Sequence, residues 1–151
     1  MKKTRIIWIP VLITGILLAG CSSAKKNSEE GKYYFKSEGN PFVTHMYTAD
    51  PSARVFNDTL WVYPSHDPDT ATTFSMYDWH VFSTTDMINW TDHGPIFSLD
   101  DISWGDKQAW APDCIERNGK YYFYFPVEQS KIGVAVNDKP YGEFKDPLDS
   151  A

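Results

Sequence analysis

The sequence predicts an all-β chain of the propeller type, built from repeated four-stranded units. Three observations carry this reading. The 151 residues include 6 Trp, 9 Tyr and 9 Phe, side chains that suit pleated and half-buried surfaces. From about Asn40 to Ala151, short apolar runs alternate with turn signals, and no helical periodicity lasts longer than a turn or two. Finally, the chain repeats itself at an offset of 61 residues.

That offset sets Pro51 on Pro112 and Asn57-Asp58 on Asn118-Gly119, two dipeptides that accept the positive φ of a tight hairpin. It also sets Leu60-Trp61-Val62-Tyr63 on Tyr121-Tyr122-Phe123-Tyr124. After a loop adjustment, His80 to Asp86 falls on Ile132 to Asp138, and Asn89-Trp90-Thr91-Asp92 on Glu143-Phe144-Lys145-Asp146. Each unit then reads as strand, tight turn, aromatic strand, loop, strand and short edge segment. Four strands recurring at about sixty residues match a propeller blade. Apolar residues on both faces of the middle strand suit a sheet packed between two others. On this pattern alone an antiparallel sandwich stays open. Two units cannot close a ring, so the expectation is that the chain holds only part of a propeller.

Composition narrows the function. The formal charge is −6, and Lys and Arg cluster only at the extreme N-terminus, which argues against a nucleic-acid partner. Residues 1–20 read as an export signal: Lys2, Lys3 and Arg5 precede an apolar run from Ile6 to Leu18. Leu18-Ala19-Gly20-Cys21 resembles a bacterial lipobox, with Cys21 as the lipidated residue. Residues 21–39 then serve as lipid attachment and flexible linker, and 40–151 as the repeat domain. The chain is expected to be an exported lipoprotein, held at the membrane by its lipid on the cell surface or in the periplasm. Cys114, left alone among Ala, Pro and Ile, reads as a small core residue.

Asp50 is the leading candidate for chemistry. It sits at the start of the first unit's innermost strand, where a propeller lines its funnel, and the matching residue in the second unit is Ala111. Pro51 is expected to bias Asp50 toward an extended backbone; an Asx turn is the alternative. Ser65-His66-Asp67 reads as a ligand-orienting pair or as a polar loop cluster, and no nucleophile elbow supports a serine hydrolase. The four histidines, 45, 66, 80 and 93, lack metal-ligand spacing in the sequence, so no metal site is expected. Trp79 and Trp104, in or beside loops, and Trp110, immediately before the second unit's funnel position, are either sugar-stacking platforms or core.

Several segments resemble, in order and with matching spacing, the N-terminal part of family 43 glycoside hydrolases. They are Asn40-Pro41, Tyr47-Thr48-Ala49-Asp50-Pro51, Leu60 to Asp67, Asp78 to Asp86, Asn89 to Gly94, Ala109-Trp110-Ala111-Pro112-Asp113 and Ile132 to Val136, followed by Pro140, Gly142 and Phe144-Lys145-Asp146. The branch they look most like is that of arabinofuranosidases and xylosidases. The resemblance implies a five-bladed propeller of which about two blades are present. It implies hydrolysis of pentosyl linkages with inversion, with Asp50 as general base. It also places His66, Asp67, Trp79, Trp110 and Asp113 near the sugar pocket or in support of it. The family's acid Glu and pKa-tuning Asp have no counterpart here; Glu116, Glu128 and Glu143 lie outside that motif. No cofactor is required in this chain, and the resemblance leaves room for a structural calcium in the intact domain. The expected partner is a pentose-containing oligo- or polysaccharide. A non-catalytic sugar-binding lipoprotein and a structural β-sandwich lipoprotein are the competing readings.

Overall fold

The computed structural model describes residues 31–151, where the regular structure is β-strand apart from a single 3-10 turn at Leu99–Asp101. The signal, Cys21 and most of the linker lie outside the described residues. Five strands make the first sheet: β1 (Tyr33–Lys36), β2 (Tyr47–Phe56), β3 (Thr59–Asp67), β4 (Asp78–Thr84) and β5 (Asn89–Ser98). Their order is β1-β5-β4-β3-β2, antiparallel throughout. The second sheet holds β6 (Asp113–Arg117), β7 (Lys120–Val127) and β8 (Lys131–Asn137) in sequential order. A bridge between Val136 and Lys145 adds an outer segment to it. These are two blades of the propeller.

The repeat has a structural basis in the hairpins. Asn57 and Asp58 take φ of 50° and 58°, and Asn118 and Gly119 take 55° and 74°. Positive φ at both central residues is the turn whose twist matches its flanking strands. The 61-residue offset holds through both pairs, Arg54 facing Trp61 and Ile115 facing Tyr122. In the third strands the sequence alignment is one residue out. Leu60 pairs with Thr84 while its equivalent Tyr121 pairs with Asn137, so Thr84 corresponds to Asn137 and not to Val136. A one-residue slip matters, because it turns every side chain to the opposite face. The edge segments do align as expected: Trp90 and Phe144 are both buried.

Two further expectations are corrected. Residues 33–36 belong to the folded sheet and not to the linker: β1 pairs with β5 from Tyr33–Asp92 to Lys36–Asn89. Phe35 holds it there, packing on Phe82 and Trp90. Only the first unit's middle strand is buried on both faces. In β3, Trp61 to Ser65 are all buried, whereas β7 alternates, with Phe123 and Phe125 at 0% exposure and Tyr124 at 42%.

The main core lies between the blades. Trp61, Tyr63, Trp79, Val81 and Phe97 of the first blade meet Cys114, Tyr121, Phe123, Phe125 and Val127 of the second. Each fully buried large side chain of this kind contributes roughly 1.5–3 kcal/mol. Gly133 is required here: a Cβ would lie 2.6 Å from Trp104 Cζ2 and collide with the Phe125 ring. On the far face of the first blade, Val43, Val62, Phe82 and Trp90 form a smaller core.

Candidate active site

Asp50 is presented by a bulge in the inner strand. Ala49 faces Ser65 and Ser52 faces Tyr63, so Asp50 and Pro51 together oppose the single residue Pro64. Such a bulge re-aims a side chain and disrupts the ladder locally. Pro51, which has no N–H to donate, fits an interrupted ladder. The extended backbone expected at Asp50 is not what forms. Its φ is +48°, a left-handed conformation unusual for any residue but Gly or Asn/Asp. The bulge overrides the bias from Pro51, and the strained backbone turns an exposed carboxylate off the line of the strand. The second blade carries the same extra residue: register runs from Ala109–Val127 to Asp113–Tyr124, four steps against three. There the position of Asp50 is held by Ala111. The extra residue belongs to the repeat, whereas the left-handed backbone and the carboxylate belong to the first blade alone.

His66 and Asp67 close β3 on the neighbouring strand, paired with Thr48 and Tyr47. His66 is partly buried and its Nδ1 donates to Asp78 Oδ1 at 2.7 Å. Asp67 lines an open cleft of about 620 Å³ together with Tyr47, Asp69 and Phe74. Trp110 reaches the Phe74 ring, with centroids 5.4 Å apart. This gives exposed aromatic surface next to carboxylates.

Trp79 is not a sugar platform and not a loop residue. It lies in β4 at 0% exposure, packed on Phe97, Phe123 and Phe125. Its Nε1 donates to the carbonyl of Trp110 at 2.7 Å, so it supports Trp110 from beneath. Trp104 is also removed from the proposed group: its ring stacks on Phe125 and its Nε1 donates to Asp146. It lines a separate cleft with Asp106 and Glu128 that contains none of the other candidates. Asp113 starts β6, forms an ion pair with Arg54 of β2 and accepts from the Cys114 N–H. It fastens one inner strand to the other.

Glu128 is held below the usual carboxylate range, first by the Lys131 ammonium hydrogen-bonded to it. A general acid needs the opposite shift. Glu116 is spent on the hairpin, where it accepts from the Gly119 N–H.

The sequence reading missed a chain of alternating imidazoles and carboxylates on the first blade. His45 Nε2 lies 2.9 Å from Asp92 Oδ2, and His80 Nδ1 3.5 Å from Asp92 Oδ1. His80 Nε2 lies 3.8 Å from Asp78 Oδ1, which also receives His66. Burial pushes the Asp92 carboxyl up, yet the His80 and His45 rings beside it and the Gly94 N–H outweigh it and hold the group below its ordinary value. The available signal was the alternation Asp78-x-His80, two residues on one face of a strand. His66 joins them through cross-strand pairing, which spacing cannot reveal. Calcium prefers six to eight oxygen ligands. The group of donors that converges among the described residues, His66, Asp78 and His80, is mostly nitrogen and does not suit that ion.

The cleft bounded by Tyr47, Asp67 and Phe74 lies at one end of β2, the strand that carries Asp50, and both stand on propeller blades. The chain belongs to glycosyl hydrolases family 43, whose family model matches residues 38–151. It is 48% identical over 118 residues to a xylosidase/arabinosidase 43A of Humicola insolens, covering 69% of this chain and 36% of the relative. A xylosidase/arabinosidase of Bacteroides ovatus is 43% identical over 122 residues, covering 72% and 38%. Among solved structures, a β-xylosidase/α-arabinofuranosidase from a compost microbial metagenome, in a calcium-free complex with xylotriose, matches with a TM-score of 0.70 and 43% identity. That match covers 78% of this chain and 39% of the other. The chain thus spans well under half the length of these relatives.

Proposed function

We propose that these blades supply the general base of an inverting glycoside hydrolase that removes arabinofuranosyl or xylosyl groups from plant-type hemicellulose. The observation that carries the reading is Asp50, an exposed carboxylate turned off its strand by a bulge that the second blade repeats without it. The relatives, named xylosidases and arabinosidases, support the substrate class. In this mechanism Asp50 takes a proton from a water on one face of the sugar while an acid roughly 6.5–9.5 Å away protonates the leaving oxygen. His66, Asp67 and Trp110 contact or flank the sugar at the mouth, Trp79 supports Trp110, and Asp113 braces the inner strands. The acid and its tuning Asp belong to further blades, and the 151-residue chain alone is expected to show no turnover on aryl pentosides.

A chimera tests the base directly: residues 38–151 joined to the remaining blades of the Humicola relative. Asp50→Asn in that ring is expected to lower kcat by about 10²–10⁴-fold with KM little changed. Turnover equal to the unmutated chimera would remove Asp50 from the mechanism. Sugar binding without turnover in the unmutated chimera would favour a non-catalytic module. We further read Cys21 as the lipid-bearing residue of an exported protein, on the strength of Leu18-Ala19-Gly20-Cys21 behind an apolar run. Cys21→Ala would then release the protein from the membrane fraction.

A further inference from the structure

The imidazole–carboxylate chain is outside the residues assigned above except for His66, and the proposed hydrolysis uses none of the rest. Its geometry is dictated by strand pairing. Asp78 and His80 alternate along β4 and so share a face, and His66 lies directly opposite Asp78 on β3. Three donor atoms therefore converge: His66 Nδ1, His80 Nε2 and Asp78 Oδ1, all within 4.8 Å of one another. Two of the separations are 2.7 and 3.8 Å. Ligands about 2.0–2.2 Å from a tetrahedral zinc stand about 3.3–3.6 Å apart, so the two separations bracket the required spacing.

We propose that His66, Asp78 and His80 form a binding site for a transition-metal dication of the zinc type. Two independent features favour an ion over a plain hydrogen-bonded cluster. The first is charge. Asp78 and Asp92 flank the His80 ring at 3.8 and 3.5 Å, and the side chains of His80 and Asp92 are only 8% and 6% exposed. Two carboxylates gathered around one buried ring concentrate negative charge that a bound cation offsets. The second is support beyond the ligands. A metal-bound imidazole ordinarily directs its other nitrogen at a carboxylate. His80 Nδ1 is buried, lacks a partner of good hydrogen-bond geometry, and points at Asp92 Oδ1. Asp92 is in turn held by His45 and the Gly94 N–H.

The metal takes the place of the proton on His66 Nδ1, and the coordinated imidazole carries its one remaining proton on Nε2. The His66 and Asp78 side chains are 24% and 20% exposed, which leaves an approach for the ion and a fourth position for water. With two nitrogens and one oxygen the site favours zinc over calcium or magnesium.

The test is a titration of the full 151-residue chain with zinc alone, followed by calorimetry and thermal unfolding. One equivalent is expected to bind and to raise Tm, and excess calcium is expected not to displace it. Cobalt substitution supplies a visible spectrum that reports nitrogen ligation. His66→Ala, at a partly exposed position, is expected to abolish both signals while leaving the far-ultraviolet dichroism unchanged. Asp92→Asn is expected to weaken binding by about 10–100-fold. No bound zinc overturns the proposal, and so does zinc that binds His66→Ala as tightly as the parent, since the ion would then sit elsewhere. Neither readout depends on Asp50 or on hydrolysis.

Discussion

The two blades share a hairpin, a bulge and a register, yet they differ in how they are covered. The first has a core on each face: one against the second blade, the other built from β1 and the residues around Phe42 and Val43. Among the described residues, the second is buried only where it meets the first. Its other face exposes Ile115, Tyr124 and Ile132, at 51%, 42% and 62%. A blade is therefore a sheet whose two sides do different work at each point of the ring. Among the described residues the larger core is the one between the blades, and adjacent residues of one strand differ sharply in burial.

The sharpest way to break that comparison is on neighbouring residues of β7. Phe123→Ala empties a position packed by Tyr63, Trp79, Phe97 and Phe144 and is expected to cost about 3–5 kcal/mol. Tyr124→Ala on the bare face is expected to change stability by about 0.5 kcal/mol or less. Denaturant unfolding of the two variants reads the contrast, and equal losses would show that the interface is not where stability lies.

A smaller effect is chemical. Burial pushes the Cys114 thiol up to about 12, with the Asp113 charge adding to it and contact with Tyr63 opposing it. The folded state therefore keeps its proton better than the unfolded one. The resulting stability is fully present below about pH 9 and is lost as pH rises toward 12. In the folded chain Cys114 should resist alkylation at pH 8 and react only on unfolding. Rapid labelling under native conditions would mean that the interface opens readily.

The smallest effect separates the two hairpins. Gly119→Ala places a side chain at φ +74° with no steric neighbour, and the expected loss is about 1 kcal/mol from backbone strain alone. Asp58→Gly at the equivalent turn should leave stability within about 0.5 kcal/mol. Calorimetry on the pair decides whether the turns are as interchangeable as their dihedral angles.

Local chemistry explains what could be read in advance. Asn57-Asp58 and Asn118-Gly119 are written in the only residue types that the turn tolerates well, so the first hairpin of each blade was legible. Asp50-Pro51 stood out as an addition to the repeat. The third strands were not aligned correctly because the connections differ in kind. Residues 68–77 join β3 to β4, whereas three residues, Glu128 to Ser130, join β7 to β8, and no shared dipeptide pins the register between them. Trp79, beside a loop and open to both a platform and a core role, is decided for the core only by strand pairing, which turns its indole toward the second blade. The cluster of His66, Asp78 and His80 depends on that same pairing, which is a relation between strands and is absent from any single one.

The repeated bulge carries a consequence for how such a ring acquires chemistry. Ala111 occupies the matching extra position without the left-handed φ of Asp50, so the register offset recurs without the turn that aims a side chain there. Installing an acid in the second blade would therefore supply the charge but not its direction, and the local backbone would have to turn over as well.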